Sequence, residues 1–205
     1  MRKVIGGGCI FLGIVCILIS IGFVVYNGHE AEKAEKTSQV LLLDVQTSMH
    51  NAEHQESISE ETEPHNVQEP VHRQMQTVVV GSYDSIGILS IPVLELELPV
   101  LTDWSYEKLK SAPCHYYGSC YEADFVIAAH NYPSHFGRLS QLQAGDLVIF
   151  TDVTGESHGY EVILLETLAA TATEEMISSG FDLSLYTCTP GGASRVTVRC
   201  KAISQ

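Results

Sequence analysis

Directly after Met1-Arg2-Lys3 the chain runs for 23 residues without a charge, from Val4 to Tyr26. Wound as a helix, such a run crosses a hydrocarbon core of roughly 30 Å. It exceeds the apolar core of a cleaved signal peptide and carries no A-x-A-like cleavage site, which predicts a retained signal-anchor. Arg2 and Lys3 on the short side favour a cytoplasmic N-terminus. The expectation is a single-pass protein of the cell membrane whose remainder, residues 27–205, faces outward. Cys9 and Cys16, inside the span, read as small apolar residues.

The formal net charge of −14 is spread over the exported part. It excludes the basic footprint that nucleic-acid binding needs, and equally a polybasic grip on anionic lipid. From Asn27 to about Val80 the sequence is polar, acidic and rich in Glu, Gln, Ser and His. Five histidines fall here (His29, His50, His54, His65 and His72), but their spacing gives no closed set of metal ligands. A polar stalk, partly helical or disordered, is expected over 27–80. Within it Val40, Leu41, Leu43 and Val45 supply part of an apolar helix face, and Pro64 and Pro70 interrupt the chain nearer the barrel.

A globular domain is expected over 81–205, where short apolar or alternating runs are separated by Gly, Pro, Asp and Ser. Two strand candidates flank Pro92, with Leu94, Leu96 and Leu98 on one face against Glu95 and Glu97. DWSYEKLKSA reads as a short helix, DFVIAAH as a buried strand, and GDLVIFTD with HGYEVILLETL as a hairpin around Thr154-Gly155. ATEEMISSG is a second short helix, and LSLYTC and SRVTVRC are the last two strands. Roughly eight short strands with one or two helices predict a mostly β fold, a closed barrel.

Chemistry concentrates at Cys188. It ends one alternating run just before Thr189-Pro190-Gly191-Gly192, and Arg195 opens the next. A thiol at a strand end beside a turn can reach a groove. A nucleophilic thiol needs help toward thiolate, and a neighbouring cation supplies it or stabilises the charge that develops on the substrate. The turn brings Arg195 back alongside Cys188. Arg199 shares its strand face by period two, so only proximity to the turn favours Arg195. For the proton carrier, His158 sits in the hairpin turn and is expected to be solvated, His115 on a loop, and His135 in a flexible segment. His130 alone terminates a strongly apolar strand, a rigid mount for a site residue. Of the other exported cysteines, Cys200 is expected in the core. Cys114 and Cys120 flank HYYGS, a loop short enough to close, and their pairing stays open.

SIGILSIPVLELELPVL, HYYGS, VIAAHN, GDLVIF, LSLYTC and SRVTV stand in the order and approximate spacing of the sortases. LSLYTC resembles that family's TLxTC signature, departing only at Ser184. The resemblance covers about Ser85 to Ile203 and agrees with an anchor and stalk. Two departures are Ala129, where glycine is common, and the six residues between Cys188 and Arg195, fewer than in some members.

The resemblance implies an eight-stranded sortase-type β-barrel and a cysteine transpeptidase. It implies Cys188 as nucleophile, His130 as general acid then base, Arg195 as stabiliser of the substrate carbonyl or oxyanion, and Thr187 as a substrate contact. The implied partners are exported proteins with a C-terminal LPxTG-like sorting signal, and an amine acceptor from a peptidoglycan precursor or a pilin lysine. No metal or other cofactor is implied, and calcium activation is not readable. The short connection from Ala169 to Asp182, with no aromatic-bearing lid before the barrel, favours protein anchoring over pilus polymerisation. Two other classes use the same residues differently: a membrane-anchored cysteine peptidase with water as acceptor, and a non-enzymatic β-barrel adhesion or scaffold module with Cys188 buried or bridged.

Overall fold

The computed structural model describes residues 2–56 and 73–203. His65 and His72 of the histidine-rich stretch, and most of the segment just ahead of the barrel, lie outside them. Helix α1 runs unbroken from Arg2 to Glu56, about 80 Å at 1.5 Å per residue. Its N-terminal part is apolar on every side, with Phe11, Ile14, Leu18, Phe23 and Val25 all exposed. It has the length and composition of a single membrane span, and a helix apolar all round has no water-facing side.

Beyond the span α1 is not a solvated tether. Ala34, Ser38, Leu41 and Val45 are buried, and their spacing of three and four places them on one helix face. Leu41 and Val45 pack with Val80, Ile88, Leu101, Ala112 and Cys114 on the outside of the barrel. Of the four apolar residues that suggested a helix face, Val40 and Leu43 point to solvent. The helix therefore docks through a narrower, differently placed stripe than its apolar residues indicate.

The strands are β1 (Val78–Val80), β2 (Tyr83–Ile91), β3 (Leu96–Leu101), β4 (Cys114–Tyr117), β5 (Phe125–Ala128), β6 (Leu147–Asp152), β7 (Ser157–Ala169), β8 (Leu183–Cys188) and β9 (Ser194–Ala202). Eight of them close a barrel in the order β2-β3-β4-β5-β8-β9-β7-β6, with β6 pairing back onto β2 and β1 added outside the closure. The β3–β4 and β5–β8 pairs are parallel. Inside, Leu89, Ile91, Val100, Phe125, Ile127, Phe150, Leu183, Leu185 and Val198 form the core. Leu94, Leu96 and Leu98 join it while Glu95 and Glu97 stay exposed, as the alternation predicts.

Closure depends on Gly87. Its φ is +152°, and a Cβ there would collide with the Thr151 carbonyl oxygen of β6. Only glycine lets the two strands approach this closely. Two short helices, α2 (Tyr106–Leu109) and α3 (Thr173–Ile177), occupy the stretches expected for them. Ser105 caps α2 by accepting a hydrogen bond from the Lys108 N–H at 3.2 Å.

Candidate active site

Strand β8 alternates strictly. Leu183 and Leu185 enter the barrel core, so Ser184, Tyr186 and Cys188 face outward. Antiparallel β9 sets Arg199 opposite Ser184, Thr197 opposite Tyr186 and Arg195 opposite Cys188. The connection between them is tight. Gly191 and Gly192 take φ of +84° and +75°, left-handed geometry that side chains with a Cβ resist. The Gly192 N–H donates to the Thr189 carbonyl at 2.8 Å, and the Thr189 N–H to the Ser194 carbonyl at 3.0 Å. The Gly-Gly pair thus returns the chain in the register that opposes thiol and guanidinium.

Parallel β5 lies on the other side of β8, with Ala128 level with Tyr186. The pairing continues one step past the strand: the Thr187 hydroxyl donates to the Ala129 carbonyl at 2.9 Å, a separation of 58 residues that Ala128 and Tyr186 share. The same offset brings His130 level with Cys188. Thr187 is buried, so the hydroxyl expected to meet substrate is committed to holding these two strand ends together. At His130 the Asn131 N–H donates to Nδ1 at 3.1 Å, which in the neutral ring leaves the proton on Nε2. The imidazole stacks on Tyr132 with centroids 4.2 Å apart and planes 5° from parallel.

Cys188 and Arg195 share a groove of about 230 Å³ with Ala129 and three aromatic rings, Trp104, Tyr106 and Tyr116. Tyr116 packs edge-on to Tyr186 at 5.4 Å and lies 5.7 Å from Trp104. Sequence reading passed over this wall. Its signal was the density of aromatic residues in DWSYEKL and HYYGS, which no local periodicity assigns to a common face. Arg195 Nη1 donates to the Gly192 and Ser194 carbonyls, both at 3.1 Å. That clamps the guanidinium to the turn and leaves Nε and Nη2 for a ligand.

Arg199 is spoken for. It is 2% exposed, its Nε donates to Glu166 at 2.7 Å, Nη1 to Ser184 Oγ at 2.8 Å and Nη2 to the Glu175 carbonyl at 2.6 Å. The ambiguity between the two arginines, which period two cannot resolve, is thereby settled as to which is buried and bonded.

Cys188 is half-buried and free, whereas Cys114, Cys120 and Cys200 are buried and free. Burial pushes each of those three thiols up to about 12, so none carries appreciable thiolate at neutral pH. Cys114 faces the α1 side and Cys120 the barrel interior, which keeps them apart.

The remaining histidines depart from expectation. His158 is no solvated turn residue: its side chain is 15% exposed and packs edge-on to Tyr121 at 5.5 Å. His135 is wholly buried rather than flexible, in a segment that packs against α1. His115 belongs to β4, its ring nitrogens 3.1 Å from the Thr102 carbonyl and 2.8 Å from the Gly118 carbonyl. A larger hollow, about 580 Å³, opens at the opposite end of β8 and β9, beside Cys120 and His158. Asp152 approaches both residues there. With its thiol desolvated and facing a carboxylate, Cys120 is no nucleophile.

The description of a sortase domain matches residues 89–203. Among solved structures, sortase A from Corynebacterium diphtheriae aligns with a TM-score of 0.55 at 23% identity, over 60% of this chain and 63% of that one. Sortase C1 from Streptococcus suis aligns with a TM-score of 0.51 at 29% identity, over 59% of this chain and 74% of that one. A Clostridium perfringens sortase D5 transpeptidase aligns with a TM-score of 0.52 at 21% identity, over 58% and 79%. At 23% and 21% identity the first and third bear on the barrel alone. The chain spans less than two thirds of the Corynebacterium protein. No curated protein sequence matches.

Proposed function

The chain belongs to the sortase family, and from that premise we propose that it is a membrane-anchored cysteine transpeptidase acting on C-terminal sorting signals of exported proteins. The observation that carries this reading is the half-exposed Cys188 thiol, opposed to Arg195 across the β8–β9 ladder and level with His130 at the end of β5. Two independent strand pairings are needed to assemble that set.

In the first step the Cys188 sulfur forms a bond to a backbone carbonyl carbon of an LPxTG-like motif. Nε and Nη2 of Arg195 receive the charge on the carbonyl oxygen. The C–N bond then breaks, and protonated His130 gives its proton to the departing amine. The acyl group is held as a thioester. In the second step an acceptor amine, from a peptidoglycan precursor or a pilin lysine, attacks that carbon. Neutral His130 takes the amine proton, the C–S bond breaks, and the thiolate is restored. Two steps of moderate difficulty replace one amide exchange, and no ATP is consumed. Water competes for the thioester, so slow hydrolysis accompanies transfer.

Arg2 and Lys3 support a cytoplasmic N-terminus, which puts the barrel outside the cell. Ala34, the first buried residue of the docked helix stripe, follows Tyr26 by only about 12 Å of helix. The catalytic groove would accordingly work close to the membrane surface, where substrates carrying their own membrane segments are retained.

The test is trapping. Incubated with sorting-type peptides, the full-length protein should gain the mass of an acyl group at Cys188, and hydroxylamine should divert that group to a hydroxamate. Undiminished transfer by Cys188→Ala would remove the assignment. A Cys188 that fails to alkylate in the folded protein would favour a scaffold role.

A further inference from the structure

At the end of the barrel remote from Cys188, three side chains of different donor type converge: Cys120 Sγ, an Asp152 carboxylate oxygen and a His158 ring nitrogen, all within 4.8 Å of one another. They come from the β4–β5 connection, the end of β6 and the start of β7. None is needed by the groove chemistry. We propose that Cys120, Asp152 and His158 form a binding site for a zinc-like transition-metal cation, with an open fourth position facing the cleft beside β7 and β9.

The donor set selects the ion. Thiolate, imidazole and one carboxylate suit zinc and its neighbours. Calcium and magnesium need mostly oxygen ligands, which one carboxylate does not supply. The spacing is close to what a tetrahedral ion imposes. Bonds of about 2.0–2.3 Å set ligand atoms roughly 3.3–3.8 Å apart, and His158 Nε2 lies 3.9 Å from Asp152 Oδ2. A contraction of well under an ångström there would complete the pair.

Asp152 is already held for the task. Its Oδ1 accepts from the Thr154 N–H at 2.9 Å, the Thr154 hydroxyl at 2.6 Å and the Glu156 N–H at 3.0 Å. Its Oδ2 accepts only the Tyr121 hydroxyl, at 2.6 Å. Outer partners of this kind orient a ligating carboxylate. His158 Nε2, by contrast, is buried with no hydrogen-bond partner. Such a nitrogen costs free energy unless something binds it. Arg73 is the nearby cation, and it is spent on Glu156 at 2.6 Å and on the face of Tyr121 at 4.1 Å.

Binding releases one proton, from the Cys120 thiol, as the sulfur–metal bond forms. Asp152 enters as carboxylate, and the cleft offers a path for the ion and for a water at the fourth position. An ion here would tie the β6–β7 turn to the β4–β5 connection and brace the end of the barrel opposite the groove.

The experiment titrates metal-stripped full-length protein in detergent with Co²⁺ and then Zn²⁺. One equivalent of Co²⁺ should produce a thiolate-to-metal charge-transfer band, displaced by Zn²⁺, with a rise in Tm on Zn²⁺ addition. Cys120→Ser should abolish the band. His158→Phe, which keeps a ring packed against Tyr121, should weaken binding at least about tenfold, on the scale of losing an inner ligand. Cys188→Ala should leave the band intact, separating it from the groove. Absence of the band in the unaltered protein, or a band that survives Cys120→Ser or disappears with Cys188→Ala, would overturn the proposal.

Discussion

Cys188 and Arg195 are Cα partners across the β8–β9 ladder, side by side on the outward face of the barrel. Two left-handed glycines make the return between them short enough for that opposition. On the proposed mechanism the arginine stabilises only charge that appears during reaction. Arg195→Ala should therefore lower kcat by roughly 10²–10³ while leaving Tm nearly unchanged. Arg195→Lys should recover part of the loss at most, since an ammonium lacks the planar fork. Steady-state kinetics beside thermal denaturation checks both.

Arg199 predicts the opposite pattern. Its guanidinium is buried and bonds Glu166, Ser184 and two carbonyls near α3. Arg199→Ala should cost roughly 3 kcal/mol of stability, the scale of breaking a buried pair. What activity survives should keep a normal KM at a temperature where the variant is folded. Comparing the two arginine variants by melting and by kinetics separates the roles that period two leaves equivalent.

His135 makes stability depend on pH. It is wholly buried, neither ring nitrogen has a partner, and burial first, then the charge of His130, lower it from 6.5 to about 4. The unfolded chain binds this proton below about pH 6.5 and the folded chain does not until near 4. Stability contributed by the neutral ring is therefore complete above pH 6.5 and falls as pH drops toward 4, by up to about 3 kcal/mol. In His135→Phe that slope should flatten across the same window. Denaturant melts at pH 7, 6, 5 and 4 give the comparison, and an unchanged slope would contradict it.

The docked stretch of α1 gives a matched pair. Leu41 is 5% exposed against the barrel while Val40, its neighbour, is 59% exposed. Leu41→Asp places a charge in an apolar seam and should release the helix, so that protease cuts between residues 30 and 50. Val40→Asp adds the same charge to solvent and should cut no faster than the unaltered chain. Equal cutting of both variants would contradict the docking.

How far these features could be read in advance followed from how local their causes are. Alternation located β3, β5, β8 and β9, because a period-two pattern with one buried face is written residue by residue. Ser105 and Gly191-Gly192 marked a helix start and a turn for equally local reasons. His158 was misjudged because its burial comes from Tyr121 and Phe150, distant neighbours in sequence. The docked face of α1 was misplaced for a similar reason. Hydrophobicity alone ranks Val40 with Leu41, and only the position of the barrel distinguishes them.

The amino-acid order alone determined that the chain has a membrane-length helix, a β-rich body, and a thiol delivered to a strand end beside a turn. Those properties depend on apolar length, alternation and turn chemistry, all short-range. Tertiary structure alone decided which arginine is free, which histidines are sealed in, that α1 lies against the barrel, and that Cys120, Asp152 and His158 meet. Each of these requires strands far apart in the chain to close into a single barrel, and burial at a given position is a property of that closure.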